Sequence, residues 1–210
     1  DDRGPHHREH SAVPAYAAGM RVLCISGKRF AGKDTLARLL VVAARRRDLA
    51  LSTYAFAGES KRMFAAARPD LELARLLDDR DYKERWRPQL TQFTVEALAA
   101  DPLIFVREVM RRIAEPAVIT DLRLRLELEH LRAVCEPHVV RITRSDPLRT
   151  ASGWTFEPAK DTHHTETELD DPGLWSEVVP NDGSEAELAV RADELLSRWL
   201  ARPDAPRSDR

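Results

Sequence analysis

Read only as apolar and polar positions, the chain alternates short β-rich runs with longer helical ones and shows no internal repeat. Arg21 to Ile25 (RVLCI) is continuously apolar after its arginine, as expected of a strand buried on both faces. A glycine-containing turn follows, and Asp34 to Arg46 then carries apolar residues at helical spacing. Leu51 to Phe56 reads as a second strand, and Ser60 to Ala67, Leu71 to Leu77 and Tyr82 to Ala100 as polar-rich helices. At Asp101-Pro102 a helix restarts, with Asp as N-cap and Pro in the first turn ahead of IFVREVMRRI. Ala117 to Thr120 predicts a short buried strand ending in Asp121, Leu124 to Val134 a helix, and His138 to Thr143 another strand. Residues 144–173 are polar and punctuated by Pro147, Gly153, Pro158, Pro172 and Gly173, which predicts a long loop or lid. Glu177 to Val179 reads as a last short strand, and Ser184 caps an amphipathic C-terminal helix to Leu200. Strands separated by helices imply right-handed βαβ units, hence a three-layer α/β domain with a parallel sheet and helices on both faces.

Composition narrows the function classes. The 210 residues suit one domain, or one domain with a small lid. We expect an extension over residues 1–19, one domain over 20–201 and a flexible tail over 202–210. The extension holds charged residues, His and Pro with no continuous apolar core, so it does not read as a secretory signal. Lys+Arg number 33 against 35 Asp+Glu. That balance argues against nucleic acid or a polybasic membrane surface as partner. No window approaches the roughly 18 uncharged apolar residues of a transmembrane helix. Cys24 and Cys135 are too few for a disulfide framework and fit no metal spacing. Both read as buried thiols of a cytoplasmic protein, a monomer or homodimer. Only five basic residues are lysine: Lys28, Lys33, Lys61, Lys83 and Lys160. In a chain that favours arginine, their positions become informative.

Two of the five lie in Gly27-Lys28-Arg29-Phe30-Ala31-Gly32-Lys33-Asp34, which is G-x-x-x-x-G-K with Asp in place of the usual Ser or Thr. Glycines let backbone N–H groups wrap a phosphate, the helix N-terminus adds its positive dipole end, and Lys33 reaches the β/γ-phosphates. The required context is present, a buried strand before and a helix after. Asp34 either contributes to Mg²⁺ binding, directly or through water, or is a carboxylate favoured by the helix dipole; Thr35 offers a hydroxyl beside it. A GTPase would carry a guanine-reading N-K-x-D, which is absent, and Asp170-Asp171-Pro172-Gly173 is a loose, late match to D-x-x-G. The size suits a small-molecule or nucleotide kinase.

Five segments extend this reading: SGKRFAGKD (Ser26 to Asp34), RLLDDRDYKERWR (Arg75 to Arg87), ADPLIFVREV (Ala100 to Val109), ITDLR (Ile119 to Arg123) and GWTFEP (Gly153 to Pro158). In order and spacing they resemble the animal-type phosphomevalonate kinases, over roughly Arg21 to Leu200. The resemblance implies a three-layer P-loop kinase fold of the nucleoside-monophosphate-kinase kind with a mobile lid. It also implies transfer of the ATP γ-phosphoryl to the phosphate of (R)-5-phosphomevalonate, with Mg²⁺. Two positions depart from the family: Leu124 stands where a second arginine would follow Arg123, and Ser152 where an arginine precedes Gly-Trp. The lid run His163-His164-Thr165-Glu166 is also similar to the H-x-[ST]-E of phage-type deoxynucleoside monophosphate kinases. A kinase for a nucleoside monophosphate or another phosphorylated biosynthetic metabolite therefore stands beside the first reading, as does a nucleotide-binding regulator without turnover.

Phosphoryl transfer needs cations to gather anionic groups and to stabilise charge as it moves. Gly27, Lys28, Arg29, Ala31, Gly32, Lys33, Asp34 and Thr35 form the expected donor loop, with Arg144 and Arg149 leading into the lid. On the acceptor side, resemblance places Lys61 in the pocket and matches Arg87 to an acceptor-phosphate arginine. Lys83, four residues before Arg87 on one helix face, binds acceptor or pairs with a nearby Asp. Arg123 follows the carboxyl end of a strand, where α/β sites open. Asp121 orients Mg²⁺ or Lys33. Arg141 is either an acceptor ligand or a structural ion pair on its strand. Glu166 positions lid or acceptor. Trp154 and Phe156 are expected to pack the lid.

Overall fold

The structure is a computed structural model describing residues 20–114 and 116–202. The expected extension over residues 1–19, and the tail from 203, lie outside the described residues.

A five-stranded parallel sheet runs in the order β2-β3-β1-β4-β5. Its strands are β1 (Val22–Ser26), β2 (Ser52–Tyr54), β3 (Ala117–Ile119), β4 (His138–Thr143) and β5 (Glu177–Pro180). The helices are α1 (Lys33–Arg45), α2 (Phe56–Ala66), α3 (Leu73–Asp78), α4 (Arg80–Ala100), α5 (Ile104–Arg112), α6 (Arg125–Val134), α7 (Asp146–Ala151), α8 (Pro158–Asp161), α9 (His164–Thr167) and α10 (Glu185–Leu200). The α/β class expected from the alternation is the class observed.

Central β1 shows why its apolar run is unbroken. Leu23 and Ile25 face one core, with α1, α10, Val140 and Ile142. Val22 and Cys24 face the other, with α5, α6, Ile119 and Val139. Alternate side chains enter opposite layers, so every position must be apolar. A third, smaller core gathers Phe64, Leu71 and Leu76 beneath α4.

Several boundaries differ from the sequence reading. The second strand stops at Tyr54, because α2 starts at Phe56 rather than Ser60: the Phe56 and Ala57 amides donate to Asp121 at 2.8 and 2.9 Å. That cap comes from the end of β3, so local sequence carried no sign of it. Asp101 does not cap a helix directly. It accepts Leu103 N–H at 3.1 Å, a local turn that defers α5 to Ile104. α4 begins at Arg80, capped by Asp79, whose side chain accepts Tyr82 N–H at 3.0 Å. The segment read as a loop folds into α7, α8, α9 and a 3-10 turn at Pro172–Leu174. Pro147 and Pro158 sit in first turns, where proline starts a helix. Ser184 caps α10 as read, in a reciprocal pair with Glu187.

Candidate active site

The loop after β1 is shaped by the glycines at its two ends. Gly32 sits at φ 99° as N-cap of α1, which has no side-chain cap. A Cβ on Gly32 would stand 2.4 Å from Asn181 Nδ2, and one on Gly27 would stand 2.7 Å from the Ile142 carbonyl oxygen. Both glycines let the loop lie flat against the ends of β4 and β5. Asn181, buried, donates from Nδ2 to the Ala31 carbonyl at 2.9 Å and fixes the loop from outside. Lys33 Nζ donates to the carbonyls of Gly27 at 2.7 Å and Lys28 at 2.9 Å. Burial, and next the Arg123 guanidinium, lower its ammonium to about 8. Such a cation gains from an incoming anion. Asp34 is exposed and Thr35 half-buried in the same first turn.

The lid leans on this loop through ion pairs. Lys28 Nζ donates to the Glu166 carbonyl at 2.7 Å and also pairs with Asp170. The Arg29 guanidinium reaches Asp161 and Glu157, both at 3.2 Å, and its backbone N–H donates to Glu166 Oε2 at 2.9 Å. Arg149 is buried: Nε donates to the Arg29 carbonyl at 2.9 Å, Nη1 to Asp146 at 2.7 Å, and its Cζ lies 3.8 Å from the centroid of the Trp154 ring. It buttresses the loop from behind. Arg141, also buried, donates to Ser26 Oγ at 2.9 Å and pairs with Asp170, the structural ion pair that was one of its two readings. Arg144 follows β4 with its Nε buried and without a hydrogen-bond partner. Trp154 packs the lid as expected, donating to Asp161 at 3.0 Å. Phe156 touches it only edge-on and stays 55 % exposed.

Beyond the loop, Arg123 pairs with Glu166. Glu127 Oε2 accepts the backbone N–H groups of Arg123 and Leu124, each at 2.9 Å, and so sets the turn into α6. Burial raises the Glu127 carboxyl to about 7. Burial also raises Asp121, against its two amide donors and the nearby Arg123 and Lys33. On α2, Lys61 is half-buried; its ammonium is lowered by burial and then by neighbouring Lys83, with Arg87 contributing. The fold thus gathers Lys61, Lys83 and Arg87, although Arg87 also donates to Glu84 at 2.6 Å.

Residues 25–137, more than half of the chain, match the family model described as phosphomevalonate kinase. The chain belongs to the phosphomevalonate kinase family. It is similar to the phosphomevalonate kinase of Drosophila melanogaster, 31 % identical over 188 residues that cover 85 % of this chain and 96 % of the relative. Membership makes it a kinase, a phosphotransferase acting on a small metabolite. Its fold is similar to that of shikimate kinase from Acinetobacter baumannii in complex with shikimate, with a TM-score of 0.50 at 15 % identity, covering 87 % of this chain and 96 % of that one. Among the described residues no helix is long and apolar enough to cross a membrane.

Asn181, Asp170, Asp161 and Glu127 were missed by sequence reasoning. For Asn181 a signal existed: the first polar residue directly after a strand, at the edge where β1, β3 and β4 also end. Among the described residues no group of three or more His, Cys, Asp or Glu could hold a metal, His163 and His164 included.

Proposed function

We propose that this kinase moves the γ-phosphoryl of ATP onto the phosphate of phosphomevalonate. A bond forms between an acceptor phosphate oxygen and the γ-phosphorus, the bond from that phosphorus to the β-bridging oxygen breaks, and a diphosphate and ADP leave. The observation that carries this reading is two groups of cations with one carboxylate between them. Lys33 stands beside the uncapped N-terminus of α1 with Arg123 in electrostatic reach, Lys61 has Lys83 and Arg87 as its cationic neighbours, and Asp121 acts on both groups. A single-anion sensor would need only the first group.

The residues fit Mg²⁺. Magnesium takes one or two carboxylates and otherwise water and phosphate oxygens. Asp34 is an exposed carboxylate next to the loop lysine and could take the ion directly or through water, whereas Asp121, each oxygen accepting an α2 amide, would act electrostatically from beside Lys33. Bound there, the ion would neutralise charge on the transferring phosphate. The chain's own part is to position. Loop amides orient the donor phosphates, Lys33 sits where charge develops, and Arg123 with the α2–α4 cations draws in the acceptor. Residues 144–173 act as the lid that excludes water.

Leu124 and Ser152, neutral where the family carries arginines, favour a second reading with the same chemistry and a different phosphorylated acceptor. An ADP-release assay over phosphomevalonate, mevalonate, deoxynucleoside monophosphates and other phosphorylated metabolites separates the two. Phosphomevalonate should give the highest kcat/KM. A higher value for another phosphate ester would select the second reading, and no turnover alongside tight ATP binding would reject both.

A further inference from the structure

Glu166, in α9 and only 7 % exposed, touches both halves of the site at once. Oε2 accepts the backbone N–H of Arg29 in the phosphate loop at 2.9 Å, while Oε1 pairs with the guanidinium of Arg123 after β3. The Glu166 carbonyl also accepts Lys28 Nζ at 2.7 Å. A loop amide, a loop ammonium and a strand-end guanidinium are the donors that phosphate oxygens use. One carboxylate therefore engages a donor-site group and an acceptor-site group together.

We infer that Glu166 is a positioning residue that couples the two sites, competing with phosphate oxygens for the Arg29 amide on one side and the Arg123 guanidinium on the other. The inference rests on the two-phosphate reading above. A ligand that takes either group loosens the hold of Glu166 on the other, so each ligand raises the affinity for its companion. Such coupling is reciprocal and typically worth about 5–150-fold. Asp170, on Lys28 and Arg141, closes the same lid without reaching Arg123 and carries no such coupling.

Calorimetric titration of the full chain with inorganic tripolyphosphate, with and without saturating phosphomevalonate, tests this in wild type and in Glu166→Gln. In wild type, phosphomevalonate should lower the tripolyphosphate Kd about fivefold or more. In Glu166→Gln, tripolyphosphate alone should bind at least about fivefold tighter than in wild type, and the effect of phosphomevalonate should shrink toward none. Weaker or unchanged tripolyphosphate binding in the variant, or coupling of undiminished size, would overturn the inference. Should Glu166→Gln fail to fold, Glu166→Asp, whose shorter carboxylate cannot span both donors, is read against the same outcomes. Wild type that binds tripolyphosphate but ignores phosphomevalonate also overturns the coupling, and the ADP-release panel shows whether the acceptor reading falls with it. Wild type that does not bind tripolyphosphate overturns the donor site itself.

Discussion

The two proposed ends of the site, donor and acceptor, are built by opposite means. The donor end is backbone: glycines, loop carbonyls and helix amides, pressed onto the ends of β4 and β5 and fastened by Asn181. Beneath it lies the large core of β1, α1 and α10. The acceptor end is side chain: Lys61, Lys83 and Arg87, projected from helices over a core of three buried residues, with α4 burying none of its 21. A backbone cradle recognises any polyphosphate. Side chains on a lightly packed helical flap change with little cost to the fold, so acceptor identity is free to vary there while the donor stays fixed.

The sharpest way to break the comparison is at Lys33. Lys33→Ala should lower kcat by about 10³-fold while far-UV circular dichroism stays native. Wild-type turnover in that variant would remove the phosphate loop from the chemistry.

Arg123→Met comes next. Loss of a charge-assisted contact of about 1.5–3 kcal/mol should raise acceptor KM by about 10–100-fold, while ATP KM stays level or falls as Glu166 loses one of its two anchors. Equal effects on both would show that the two ends are not separable at this residue.

pH offers a smaller and graded effect on the donor end alone. Lys33 is charged below its lowered value of about 8 and loses its proton above it. Tripolyphosphate affinity should therefore hold steady up to about pH 8 and then fall by up to about tenfold per unit, a fall that Lys33→Arg abolishes. A bound anion raises the ammonium's pKa in the complex, which sets where the fall levels off and leaves its onset and sign unchanged. Affinity that rises with pH would contradict the assignment.

Asn181→Ala should have the mildest effect. It leaves the Ala31 carbonyl short of a buried partner, costing about 1–3 kcal/mol in thermal or urea unfolding. A few-fold weaker donor binding should accompany it, with acceptor KM unmoved. A change confined to acceptor KM would mean that the loop needs no outside fastening.

The contrast between the ends also explains what the sequence disclosed. Gly27 to Lys33 was legible because a backbone cradle needs fixed residues at fixed spacing, immediately between a strand and a helix. β1, α1, β4 and α10 were legible because each buries a periodic apolar face. Asp121 was legible as a carboxylate at the end of a buried strand, but its capping of α2 was not, since the partners lie 64 and 65 positions away in the chain. The pairing of Glu166 with Arg29 and Arg123, and of Asp170 with Lys28 and Arg141, joins parts of the chain that only the folded sheet brings together. Helices α7 to α9 were hidden because their prolines, read as breakers, stand where two of them begin.

The central claim, two phosphate sites joined for transfer from one to the other, is tested most directly by ³¹P NMR of the enzyme with Mg-ATP and phosphomevalonate. The account predicts that the acceptor monophosphate resonance disappears while a diphosphate pair and ADP grow in equal amounts. ADP appearing with inorganic phosphate, beside an unchanged acceptor resonance, would contradict it.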